Sequence, residues 1–282
     1  MAASLSFIVG IIGNIISILL FCSPINTFRR VVRKGSTENY KGLPYITTFL
    51  STSLWTFYGL LKPGGLLIVT VNGTGAVLQF IYVTLFLIYA PKETKVMSLK
   101  LVAILDVGFL GSVIAVTLFA IHGSLRLTFL GVLCAALTIG MYAAPLSAMR
   151  TVVKTRSVEF MPFFLSLFLF INGGVWTVYA ALVKDYYVGV PNAIGFVLGS
   201  AQLILYVVYK NKSPSTKSKE EDEDEEGSAH LVKGTIEMQG LDHDGDSEDE
   251  LKNKSRSLDK GKSLPNPPAV FDLEYGGTKD HT

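Results

Sequence analysis

The stretch PLSAMRTVVKTRSVEFMPFFLSLFLFINGGVWTVY, residues 145–179, decides the fold. An earlier copy, PINTFRRVVRKGSTENYKGLPYITTFLSTSLWTFY, occupies residues 24–58. At a constant offset of 121, Pro24, Arg29, Val31, Val32, Ser36, Glu38, Trp55, Thr56 and Tyr58 meet identical partners. These are Pro145, Arg150, Val152, Val153, Ser157, Glu159, Trp176, Thr177 and Tyr179. Asn72 and Gly75 then match Asn192 and Gly195 at an offset of 120. Such a set, in order, is not chance. A long internal repeat in an apolar chain predicts two halves enclosing a shared site.

Working outward, seven apolar runs follow one another near residues 5–27, 43–61, 66–90, 98–121, 127–149, 161–183 and 187–209. Each approaches the roughly 20 residues that cross a hydrocarbon core as helix. Backbone polar groups cannot stay unpaired in lipid, so all seven are expected to be helices. The first run is read as a retained span, because no basic segment precedes it and it leads straight into the repeat. Runs 1–3 match runs 5–7, and run 4 is left over. A three-helix unit has an odd number of crossings. One extra crossing therefore lets both units run in the same direction, a parallel repeat. The expectation is an all-α membrane protein of seven helices, two parallel three-helix bundles joined by a linker helix (3+1+3). The first repeat spans 5–90, the linker 98–121 and the second repeat 127–209.

Charge separates a further region. Residues 1–212 hold 16 Lys+Arg against 5 Asp+Glu, whereas residues 213–282 hold 9 against 18. The overall charge of +2 hides a basic membrane part and an acidic tail. The tail carries an unbroken acidic run at 220–226 and has few apolar residues, so 213–282 reads as a disordered tail. Fifteen basic residues flank the spans on one side and only Lys62, Arg126 and Lys184 on the other. The positive-inside rule then places the C-terminus in the cytosol and the N-terminus outside or in a lumen.

Composition also excludes. Cys22 and Cys134 each sit inside an apolar run and offer neither a disulfide framework nor metal-ligand spacing. Three of the four histidines, His230, His243 and His281, lie in the tail, and His122 has no acid or thiol nearby. No catalytic set, metal cluster or cofactor motif is legible, and an enzyme is not expected. Asp106, in the linker run, is the one acid placed inside the bilayer. It is read first as a packing or interfacial residue and second as a functional one.

The polar residues of the spans are amides, hydroxyls and indoles. Ser51 and Trp55 are four apart on one helix face, and Asn172 and Trp176 repeat that spacing. Asn72 and Asn192 each precede a glycine by three. A pseudo-twofold would bring these pairs to a common centre. Amides hydrogen-bond hydroxyls in both senses, and indole faces stack on the C–H face of a sugar ring. The set suits a neutral, polyhydroxylated ligand. Pro24, Pro44, Pro145 and Pro162 stand near the cytosolic ends of repeated runs and read as hinges around a gate.

At these residues the chain resembles the plant SWEET sugar transporters. The likeness covers about residues 5–210. It is carried by GNIIS at 13–17, SPINTF at 23–28, TVNGTGAVLQ at 70–79, MYAAPLSAMRTVVKTRSVEFMPF at 141–163 and PNAIG at 191–195. The family is a known case of parallel repeats. The resemblance implies a bidirectional carrier of a mono- or disaccharide. Asn72, Asn192, Trp55, Trp176, Ser51, Asn172, Ser17 and Met141 fall where the family binds sugar. Pro24, Pro44, Pro145 and Pro162 fall at its hinges. Tyr58 and Asp185 fall where it closes an outer gate by a hydrogen bond. It further implies membrane lipid and further subunits, like or unlike, as partners. No nucleic acid, cofactor or metal is implied. The likeness is greatest to the vacuolar-membrane subgroup, with the plasma membrane as alternative.

Other classes remain. A PQ-loop carrier of amino acids shares the helix plan, but a charged substrate would want a charged partner in the spans. Its Pro-Gln pair is also replaced by Pro24-Ile25 and Pro145-Leu146. A seven-helix receptor need not repeat.

Overall fold

The computed structural model describes residues 2–38, 40–158 and 161–210, and the acidic tail of 213–282 lies outside them. The described residues with regular structure are all helical. Helix α1 (Ala2–Cys22) is followed by α2 (Ile25–Lys34), α3 (Leu43–Leu61) and α4 (Leu66–Tyr89). The linker crossing runs from α5 (Lys92–Leu101) through a π-helical stretch (Val102–Phe109) and α6 (Leu110–Ala115) to a second π-helical stretch (Val116–Ala120). The second repeat comprises α7 (Leu125–Gly140), α8 (Ala143–Thr155), α9 (Phe163–Val183) and α10 (Tyr186–Lys210).

Two expected spans prove to be broken helices, and proline explains both breaks. A proline in a helix lacks the donor to the carbonyl four residues back and collides with it. For Pro24 that carbonyl is Leu20, which is taken instead by Ser23 N–H at 3.1 Å as α1 stops. For Pro145 it is Met141, where α7 gives way to α8. Pro44 instead sits in the first turn of α3 and Pro162 immediately precedes α9, positions where a missing N–H costs nothing. The linker crossing begins at Lys92, earlier than the expected 98, so Lys92, Lys95 and Lys100 ride on a helix rather than a loop.

Six of the seven spans are long and apolar enough to cross a bilayer by composition; α3 is not among them. Its 19 residues still rise about 28 Å at 1.5 Å each. The shortfall comes from Thr47, Thr48, Ser51, Thr52, Ser53 and Thr56. Thr47, Thr52 and Thr56 return their hydroxyl protons to carbonyls of their own helix, which makes them tolerable in lipid.

Packing follows the repeat. In the first half α4 packs along α3 and against α1; in the second α10 packs along α9 and against α7. Between the halves α1 lies on α9 and α7 lies on α3, the same contact made twice. The linker crossing packs on α3, outside that symmetric pair. Arg126 caps the end of the linker, donating to the Ile121 carbonyl at 2.7 Å and the Leu118 carbonyl at 2.9 Å. Apolar side chains cover the outside of the bundle, Phe119 and Val207 among the most exposed, as a lipid-facing surface requires.

The α2–α3 and α8–α9 loops also correspond. Each preceding helix ends on a left-handed residue, Gly35 (φ 63°) and Arg156 (φ 56°), which are again 121 apart. Glu38 clasps the first of these loops, pairing with Lys34 and with Arg30 at 3.2 Å. The Lys34 hydrogen bond holds the Glu38 carboxyl below the usual carboxylate range.

Candidate functional site

A cavity of about 360 Å³ lies between the two halves, bounded by residues from α1, α3 and α4 and from α7, α8, α9 and α10. All eight residues expected to bind substrate line it: Ser17, Ser51, Trp55, Asn72, Met141, Asn172, Trp176 and Asn192. Of the expected hinges, Pro145 reaches its wall, whereas Pro24, Pro44 and Pro162 do not. Among the described residues no Asp, Glu, Lys, Arg or His lines the cavity. Asp106 is outside it, in the first π-helical stretch, with both carboxyl oxygens buried and unpartnered. It therefore caps no neighbour among the described residues.

The two amides are held alike. Asn72 donates to the Ile68 carbonyl at 3.0 Å and Asn192 to the Val188 carbonyl at 2.8 Å, each four residues back on its own helix. One N–H of each amide is thereby committed. Its Oδ1 and second N–H have no partner among the described residues and remain for a ligand.

The indoles are held alike too. Each stacks edge-on against the tyrosine three residues later, Trp55 on Tyr58 at 5.4 Å and Trp176 on Tyr179 at 5.2 Å between centroids. Trp55 Nε1 donates to Thr138 Oγ1 at 3.0 Å, and Trp176 Nε1 donates to Ser17 Oγ at 2.9 Å. Ser17 Oγ passes its own proton to Asn172 Oδ1 at 2.6 Å. Thr138 was not singled out in the sequence, although it stands 121 residues after Ser17. Applied to every site residue rather than to identical pairs only, the offset would have found it.

The glycines three residues after the amides make room for a ring. A Cβ on Gly75 would lie 2.7 Å from the Phe21 ring, and one on Gly195 would lie 2.7 Å from the Tyr142 hydroxyl. Phe21 and Tyr142 are 121 apart and both line the cavity. Tyr142 also donates to the Pro191 carbonyl at 2.7 Å, which fixes its ring against α10. Gly195→Ala should therefore cost about 1–3 kcal/mol of stability through overpacking. Thermal unfolding in detergent should show the loss, and adding Tyr142→Phe should restore part of it by removing the offending oxygen.

A polar knot ties the end of α3 to the start of α10. Tyr58 donates its hydroxyl to Asp185, lying 3.1 Å from each carboxylate oxygen. Lys62 Nζ is 2.7 Å from Asp185 Oδ2. Asp185 also accepts the Tyr187 and Val188 backbone N–H groups at 3.1 and 3.2 Å, capping α10. Asp185 is only 3% exposed, so its charge is matched locally rather than by water. The sequence reading treats Lys62 only as a charge flanking the spans. It follows the last residue of α3, four residues after Tyr58, and that short spacing is the signal in the sequence. None of Tyr58, Lys62 and Asp185 is among the described cavity-lining residues, which do include Pro145, Leu165 and Gln202.

Comparison with known proteins bears on this arrangement. A family model described as a sugar efflux transporter for intercellular exchange matches residues 7–94 and again residues 128–214. The same model thus matches twice, leaving residues 95–127 between the two matches. The chain belongs to the SWEET family. It is 61% identical over 275 residues to the bidirectional sugar transporter SWEET16 of Oryza sativa subsp. japonica, covering 96% of this chain and 80% of that protein. It is 51% identical to SWEET17 of Arabidopsis thaliana, covering 75% of this chain and 88% of that one. A eukaryotic SWEET transporter solved at 3.7 Å resolution superposes with a TM-score of 0.69 at 38% identity, covering 73% of this chain and 97% of that one. Membership in this SWEET family makes the chain a multi-pass membrane transporter rather than an enzyme.

Proposed function

We propose that this protein carries neutral sugars in both directions down their gradient, alternating access by rocking two three-helix bundles about the cavity. The observation that carries the proposal is the wall itself: paired amides and paired indoles, with no ionisable acid or base among the described lining residues. Amides and indole faces serve hydroxyls and C–H faces. Coupling to protons or sodium needs a membrane-embedded acid, base or ion cage, and the repeated helices supply none at the cavity. The PQ-loop reading fares worse for the same reason, since an amino acid's charges would go unmatched. The bidirectional transport named for the relatives supports the same reading.

The cavity volume falls at the small end of the roughly 300–1,000 Å³ typical of small-molecule sites. Met141 and Asn172 line it, and Asn172 stands where the other half has the smaller Ser51. A second sugar ring would have to displace packed side chains, at about 1–3 kcal/mol. Hexoses, glucose or fructose, are accordingly the substrates, in preference to sucrose. The excess of basic residues on one side of the spans supports a cytosolic C-terminus. Likeness to the vacuolar subgroup supports the vacuolar membrane as its location, and a fluorescent fusion should be found there.

Uptake of labelled glucose, fructose and sucrose into proteoliposomes tests the reading. Hexose should equilibrate in either direction, sucrose should lag about five- to hundredfold, and an imposed pH gradient should drive no accumulation. Met141→Val with Asn172→Ser should raise sucrose flux relative to hexose flux. Uphill uptake abolished by a protonophore would overturn the uncoupled mechanism and turn attention to Asp106. Equal flux of sucrose and hexose would overturn the size argument alone.

A further inference from the structure

The indole N–H groups of the cavity wall show a pattern that the sugar-binding reading does not itself require. Trp55 is on α3 of the first half, yet its hydrogen-bond acceptor, Thr138, is on α7 of the second. Trp176 is on α9 of the second half, yet its acceptor, Ser17, is on α1 of the first. Each half therefore holds the other half's indole. The two bonds are related by the same offset of 121 that relates the tryptophans, so the arrangement occurs twice by symmetry.

The two hydroxyls differ in what they do with their own proton. Thr138 donates it to the Cys134 carbonyl at 2.8 Å, back on its own helix. That bond, together with the restricted side-chain torsion of a β-branched residue, fixes the lone pair that Trp55 meets. Ser17 donates to the Asn172 amide oxygen instead, which commits that oxygen. The Trp55 wall is thus anchored to backbone, whereas the Trp176 wall is anchored to another ligand-facing side chain.

We propose that Thr138 is a positioning residue for substrate recognition, holding the Trp55 indole across the repeat interface in the pose that presents its face to the sugar. Trp55 is 8% exposed, so its N–H has few alternatives to Thr138. An indole that loses its acceptor turns to find another and takes its stacking face with it. The proposal rests on the sugar-site reading above, and the test separates the two.

The protein has only two tryptophans, and both are in the cavity. In a Trp176→Phe background, emission reports Trp55 alone. Thr138→Val removes the acceptor at nearly constant shape, whereas Thr138→Ser keeps it. The expected result is a shift of Trp55 emission in Thr138→Val but not in Thr138→Ser. In the otherwise wild-type carrier, Thr138→Val should raise the KM for glucose exchange about tenfold, as loss of one buried hydrogen bond implies. Its maximal rate should change little, and Thr138→Ser should restore the KM. A folded Thr138→Val carrier with wild-type KM and unshifted emission overturns the proposal. Should that variant fail to fold, Thr138→Ala removes the same acceptor and is read in the same way. Loss of folding in both would assign Thr138 a structural role and overturn the proposal too. If the wild-type protein moves no sugar, the function assignment fails, while the emission comparison still decides whether Thr138 sets the indole.

Discussion

Replacing Asp185 by alanine should open the end of the repeat interface where α3 meets α10. Val188, whose N–H donates to Asp185, lines the cavity and is 4% exposed, so a cysteine there reports access past the knot. In sealed vesicles, an impermeant thiol reagent applied on that side should label it roughly several-hundred-fold faster once Asp185 is gone. The magnitude follows from the partners. Removing one member of a buried ion pair costs about 3–5 kcal/mol because the other charge is left unmatched. The Lys62 side chain is 19% exposed and can regain some water, so the lower end applies, about 3 kcal/mol, and each 1.4 kcal/mol is tenfold. The α10 cap is lost as well, which adds about 1 kcal/mol. Asp185→Asn keeps the cap and the Tyr58 contact and should have a smaller effect. Lys62→Ala should be milder still, since the carboxylate retains Tyr58 and two backbone donors. Unchanged labelling of Val188→Cys in the Asp185→Ala background would show that the knot does not govern access.

The second large effect is expected at the amide pair. Asn72→Ala or Asn192→Ala should each reduce hexose exchange by about 100-fold. Each substitution removes two ligand-facing hydrogen-bonding groups at about 0.5–1.5 kcal/mol each, and more when a substrate hydroxyl is left unpaired. Folding should survive, because the bond each amide makes within the protein goes to a carbonyl of its own helix. Flux at the wild-type level in either variant, with a normal melting profile, would remove that asparagine from the site. A loss confined to one variant would show that the sugar sits off the pseudo-twofold, consistent with the inequality of Ser51 and Asn172.

How much of this was legible beforehand depends on where the information lies. The offset of 121 is a property of the chain, and it sufficed for the repeat and for the pair Trp55 with Trp176, while a one-residue slip to 120 brings Asn72 to Asn192. Seven apolar runs sufficed for the spans, because a backbone in lipid has almost no choice but helix. The linker start and the breaks after Cys22 and Gly140 were less legible. Apolar residues continue through both breaks, and hydropathy does not register a missing donor at Pro24 or Pro145.

What only the tertiary structure decided are the meetings between helices. Thr138 faces Trp55 and Ser17 faces Trp176 because α7 lies on α3 and α1 lies on α9. Lys62 reaches Asp185 because the end of α3 meets the start of α10. Tyr142 fits beside α10 because Gly195 has no side chain there. The sequence determined which polar groups each helix carries and that they come in two matched sets. It did not determine which groups touch, because in lipid no hydrophobic force selects one apolar helix face over another. Close packing and the pairing of buried hydrogen-bonding groups make that choice, and both act on distances between helices rather than on spacing along the chain.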